Sequence, residues 1–182
     1  IISFITSNYK QRFKNCAAAL LSELYVLGCL DKISAVPFGL YDSTLIQILE
    51  SLPKSLLKSK AGQKLFVRTL ITAPRLPEEG INLICNFCER GTDSHEVQTG
   101  LVCLRDLMFY RPVVQSKCLN AVLKFTCHNN DEVRTKAVRL TTNMLWTRPQ
   151  LTARVEHYAW SSLDSVMRQT KGGQSTKDKK NE

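Results

Sequence analysis

Residues 130–149 read NDEVRTKAVRLTTNMLWTRP, a stretch in which four basic side chains stand beside an apolar set. With Arg154 just beyond it, the group Arg134, Lys136, Arg139, Arg148 and Arg154 admits two readings. It is either a cationic helix face that tracks phosphates or the solvent side of one unit in a repeating scaffold. The choice turns on whether the segment recurs.

It does recur. Set against SHEVQTGLVCLRDLMFYRP, which starts at Ser94, the segment matches at an offset of about 36 residues: Glu96 with Glu132, Val97 with Val133, Thr99 with Thr135, Val102 with Val138, Leu104 with Leu140 and Met108 with Met144. The pairs Arg111-Pro112 and Arg148-Pro149 follow one residue later in register. Asp93 and Asn129 each stand three residues before a glutamate, an Asx variant of the capping box that would start both helices. Val97, Leu101, Leu104 and Met108 in one copy, and Val133, Ala137, Leu140 and Met144 in the other, fall at i, i+4, i+7 and i+11, one buried stripe per helix. The intervening PVVQSKCLNAVLKFTCHN matches LPEEGINLICNFCERG at an offset near 38, pairing Leu119 with Ile81 and Phe125 with Phe87. The unit is therefore a helical hairpin of roughly 36–38 residues.

Working outward, the same three- and four-residue apolar spacing runs along the chain, and alternating strand-like runs are nearly absent. The spacing predicts an all-α fold of about eight helices, roughly 9–30, 42–52, 61–73, 77–90, 95–110, 112–128, 131–147 and 150–169. Pro37, Pro53, Pro74, Pro77, Pro112 and Pro149 all fall at breaks, and Pro77, Pro112 and Pro149 each open a helix, where a missing N–H does no harm. Residues 1–170 are expected to form the helical-repeat segment. Residues 171–182, KGGQSTKDKKNE, hold no apolar side chain and are expected to be a disordered tail or linker. Because the chain begins at Ile1, a segment of a longer protein is expected.

Composition narrows the class. Apolar residues make 43% and charged residues 23% of the 182, ordinary values for a globular chain. No apolar run reaches the roughly 18 residues of a membrane span, and IISFITSNYKQRFK at residues 1–14 lacks the basic-then-apolar order and cleavage site of a signal peptide, so no membrane partner is expected. The seven cysteines lie within apolar helical stretches instead of punctuating loops, which predicts reduced thiols in the cytosol or nucleus. The net charge of +9 admits acidic or nucleic-acid partners without requiring either.

Catalytic and metal chemistry finds little footing. Cys85 and Cys88 have C-x-x-C spacing, but no second half of a zinc pattern follows, and packed structural thiols are expected instead. His95, His128 and His157 lie at helix ends or on mixed faces without a nucleophile's context. The adjacent Gly172 and Gly173 sit in the polar tail, far from any phosphate-loop pattern. The expectation is a non-enzyme without metal, cofactor or small-molecule substrate. Trp146 and Trp160 are expected in the core, since Trp146 aligns with Tyr110 just before the same turn.

The hairpin length, with the D-E-V-R-x-x-A opening of its second helix, resembles HEAT or armadillo repeats, which implies an α-solenoid. More specifically, APRLPEE (73–79), GLVCLRDLMFYRP (100–112), Cys118-Leu119 with His128 beyond, EVRTKAV (132–138) and RPQLTARVEHYAWSSL (148–163) are similar to the symplekin family. The similarity covers roughly residues 65–166. It implies a nuclear, non-catalytic scaffold of pre-mRNA 3′-end cleavage and polyadenylation, whose corresponding region holds the cleavage endonuclease, its inactive homologue and cleavage-stimulation factors. The alternative expectation is RNA binding by the basic faces at Arg134, Lys136, Arg139, Arg148 and Arg154. Against it, Asp106, Asp131, Glu132, Glu156 and Asp164 interrupt those faces, and no aromatic platform for bases accompanies them.

Overall fold

The computed structural model describes residues 18–30, 38–51, 59–89 and 94–174, and among them the chain is all-α. Eight α-helices follow one another: α1 Ala18–Leu30, α2 Gly39–Glu50, α3 Lys60–Thr72, α4 Glu78–Glu89, α5 Ser94–Tyr110, α6 Pro112–Phe125, α7 Asp131–Leu140 and α8 Pro149–Gln174. A π-helical turn, Thr141–Leu145, continues α7. The expected helices appear near their expected bounds, and α8 runs four residues into the stretch read as tail. Residues 9–17 of the first expected helix, the capping role of Asp93 and residues 175–182 lie outside the described residues. Among the described residues no helix is long and apolar enough to cross a membrane. The chain divides into two compact units, residues 1–122 and 123–182.

In the first unit α4 and α5 form a hairpin packed along its length, α3 lies against α5, and α1 lies against α2. The stripe Val97, Leu101, Leu104 and Met108 is buried as its spacing predicts, facing a core that includes Leu45, Phe66, Leu70 and Ile84. Each such side chain contributes about 1.5–3 kcal/mol on leaving water. The close approach of α4 and α5 requires Gly100, where an added Cβ would lie 2.5 Å from the Cys88 sulfur and 3.1 Å from the Ile84 carbonyl oxygen. Cys88, Cys103 and Cys118 are fully buried, and burial raises all three thiols, Cys118 to about 12. At neutral pH they are protonated and pack as small hydrophobes.

Two long-range polar contacts fasten the ends of these helices. Arg111, from the Arg-Pro pair that precedes α6, donates to the carbonyl oxygens of Leu70 at 3.0 Å, Ala73 at 2.6 Å and Pro74 at 3.2 Å. A guanidinium thus satisfies orphan carbonyls at the negative end of α3. Tyr41 donates its hydroxyl to the Arg75 carbonyl at 2.6 Å and accepts from the Arg75 N–H at 3.1 Å. Arg75 in turn lies over the Phe38 ring at 4.6 Å and pairs with Asp42 at 3.3 Å. The APRLPEE turn is therefore held on α2 by backbone, charge and ring together.

In the second unit Asn130, not Asn129, caps α7: its side-chain oxygen accepts from the N–H groups of Glu132 at 2.9 Å and Val133 at 3.4 Å. The residue adjacent to the first helical position has the extended backbone a cap requires. The buried stripe also departs from expectation. Val133 and Ala137 are buried, but Leu140 is half-buried and Met144 exposed, and Thr141 and Leu145 are buried in their place. The cause of the second exchange is the π-helical turn, in which the Trp146 N–H reaches back five residues to Thr141 at 2.8 Å. α7 is regular through Leu140, and one extra residue in the turn that follows shifts the inward position from Met144 to Leu145.

Candidate partner-binding surface

The same turn builds a groove. Beyond Ala137, the π turn presents Thr141, Thr142 and Trp146 on one wall of a largely apolar groove of about 510 Å3, and α8 supplies Val155, Tyr158 and Trp160 on the other. Cys127 and Thr126, from the turn after α6, close one end. Trp146 is 50% exposed and Trp160 69% exposed, so both indoles face solvent and neither fills the core as their position before a turn suggested. Leu145, the neighbour of Trp146 in the chain, is the side chain turned inward. Tyr110, the counterpart of Trp146 one repeat earlier, is likewise exposed at 67%. This position of the repeat carries an outward aromatic in both copies.

The groove is apolar with a few fixed polar points. The Trp146 indole N–H donates to Glu156 at 3.1 Å, which ties the ring to α8. The Tyr158 hydroxyl holds its proton above the ordinary range, through burial first and then the charge and hydrogen bond of Cys127, while its bond to Ser162 opposes the shift. Past the groove α8 keeps an apolar face into solvent at Leu163, Val166 and Met167. A continuous exposed patch of this kind marks an interaction surface, and Trp and Tyr are the side chains that dominate binding energy at such surfaces. Its chemistry is burial of an apolar partner with one or two oriented hydrogen bonds.

The five basic residues singled out in the sequence fare differently from one another. Arg134 donates to the carbonyl oxygens of His128 at 2.8 Å and Asn129 at 3.3 Å and pairs with Asp131, so it fastens the turn before α7. Lys136 pairs with Glu132 at 2.8 Å, one turn back on the same helix. Arg139 and Arg148 are exposed and Arg154 is half-buried. Arg134 and Lys136 thus serve α7 itself. His128 accepts from the Asn130 N–H at 3.1 Å, a terminus role as expected.

Cys127, Val138 and Tyr158 lie on the groove without having been singled out by motif. A signal was present: Val155, Ala159, Leu163 and Met167 continue an i, i+4 apolar row well past the length that one neighbouring helix can cover. No protein-family model matches the chain, and no solved structure matches it.

Proposed function

We propose that this chain is a segment of a symplekin-like scaffold, an α-solenoid of HEAT-like hairpins that is nuclear and non-catalytic. In pre-mRNA 3′-end cleavage and polyadenylation it docks the cleavage endonuclease, its inactive homologue or cleavage-stimulation factors. The single observation that carries a docking role is the exposed groove between the π turn and α8, with Trp146 and Trp160 on opposite walls. Further support comes from the motifs that resemble the family. Arg75 of APRLPEE and Arg111 of the Arg-Pro pair both perform helix-fastening work that a repeat scaffold needs. RNA binding through the five basic residues draws less support, because Arg134 and Lys136 are already paired within α7.

The test is reconstitution with the endonuclease and its inactive homologue, read by crosslinking mass spectrometry and co-purification. Crosslinks from Lys124 and Lys136, which lie within the span of the groove-lining residues, are expected. The double substitution Trp146→Ala, Trp160→Ala should weaken co-purification at least tenfold while thermal melting stays close to the parent. Assembly that proceeds unchanged with the double variant, without crosslinks in residues 123–168, would overturn the docking role.

A further inference from the structure

The first unit carries a second groove, about 480 Å3, between α3 and α5. Its floor is aliphatic, formed by Val67, Ile71 and Val102. Along one wall Lys60, Lys64 and Arg68 stand at i, i+4 and i+8 of α3, all exposed. At 1.5 Å rise per residue they form a cationic row about 12 Å long. The opposite wall adds Arg105, whose own charge is met by Asp106 at 2.7 Å. Among the described residues, none of the ion pairs includes Lys60, Lys64 or Arg68. The contrast is with Arg134 and Lys136, whose carboxylate partners lie on their own helix.

Nothing in the stability of α3 accounts for this row. Lys60 is the first residue of the helix, directly after the Ser59 cap, and no acidic residue occupies the first turn. A cation there opposes the positive end of the helix dipole, and like charges four apart repel. The same arrangement is favourable for a carboxylate arriving from outside, which would meet the lysine, the helix end and a low-polarity floor together.

We infer that this groove docks an acidic amphipathic helix of a partner protein. Its apolar side chains lie on Val67, Ile71 and Val102, and its carboxylates, spaced i, i+4 and i+8, face Lys60, Lys64 and Arg68. Matching spacing lets one helix satisfy all three cations without distortion. A nucleic acid fits the groove less well: no lining side chain is aromatic, so bases have no stacking platform, and Asp106 places a carboxylate beside the phosphate path. The inference stands on this unit alone and does not depend on the family reading.

Fluorescence anisotropy with the full 182-residue chain tests it. The probe is a labelled amphipathic peptide of about 20 residues, long enough to hold a helix, with Glu at i, i+4 and i+8 beside a leucine face. Two comparison probes are the same peptide with Lys in place of Glu and a polyuridine oligonucleotide. The Glu peptide should bind, and more weakly as salt rises. Reversing the row with Lys60→Glu, Lys64→Glu and Arg68→Glu should reduce that binding at least tenfold and create affinity for the Lys peptide. The neutral set Lys60→Gln, Lys64→Gln and Arg68→Gln should fall between the two. Failure of the Glu peptide to bind, binding indifferent to both triple variants, or preferential binding of polyuridine that the variants abolish would each overturn the proposal.

Discussion

Gly100 and Gly80 have the same composition and opposite consequences. At Gly100 a methyl group would meet the Ile84 carbonyl oxygen and the Cys88 N–H nitrogen at 3.1 and 3.4 Å, backbone atoms that cannot move without separating α4 from α5. At Gly80 the nearest atom is the terminal Cδ1 of Leu76 at 2.9 Å, and the next is a methyl of Ile46 at 3.8 Å, both ends of flexible side chains. Alanine gains about 1 kcal/mol over glycine in a helix. Overpacking against backbone costs about 1–3 kcal/mol, so it outweighs that gain at one site only. Gly100→Ala should therefore lower unfolding free energy, by up to roughly 2 kcal/mol, in a urea titration, while Gly80→Ala should leave it unchanged or slightly higher. A Gly100→Ala variant as stable as the parent would mean that the two helices are not in close contact there.

At the scale of the element, the π-helical turn decides which residues α7 buries. A regular continuation of the helix would turn Met144 inward, whereas the extra residue buries Leu145 and leaves Met144 38% exposed. Truncating a fully buried leucine costs about 2–5 kcal/mol, and an exposed side chain costs under about 1. Leu145→Ala should therefore destabilise the second unit by about 3 kcal/mol, and Met144→Ala by less than about 1, with denaturation midpoints as the readout. The reverse order would restore the regular register. This turn also explains why the helices were legible in the sequence and the groove was not. Prolines at breaks and apolar spacing announce where helices start and which face is inward, as in the stripe from Val97 to Met108. A single inserted residue leaves that pattern looking intact over TTNML while burying Leu145 in place of Met144. Pairs four apart, such as Glu132 and Lys136, could be read from spacing alone. The clamp from Arg111 to Leu70, Ala73 and Pro74 could not, because nothing local ties residues so far apart along the chain. The cationic row of α3 was open to reading as i, i+4, i+8, but the floor that makes it a groove comes partly from α5.

At the scale of the whole molecule, the response to alkali follows from acids that are buried neutral. Cys88, Cys103 and Cys118 lie in the core of the first unit, and burial is the leading cause that lifts each thiol above its ordinary value of 9.0, Cys118 to about 12. Tyr41 is raised as well, burial again outweighing the Arg75 hydrogen bond that lowers it. For such groups the folded state holds the proton more tightly than the unfolded state. Stability is therefore complete below the unfolded value near 9, and it declines as pH climbs from there toward the folded value. In that window each buried thiol removes about 1.4 kcal/mol per pH unit. Three together reach several kcal/mol by about pH 10.5, a large part of a domain's total of about 5–15 kcal/mol. Thermal melting under reducing conditions should be nearly level from pH 7 to about 8.5 and fall steeply above 9. Cys103→Ala, whatever it does to the neutral-pH baseline, should make the alkaline slope shallower by about one thiol's share. A melting temperature that stays level to about pH 10.5 would show that these sulfurs are open to water and that the packing assigned to α4, α5 and α6 is wrong.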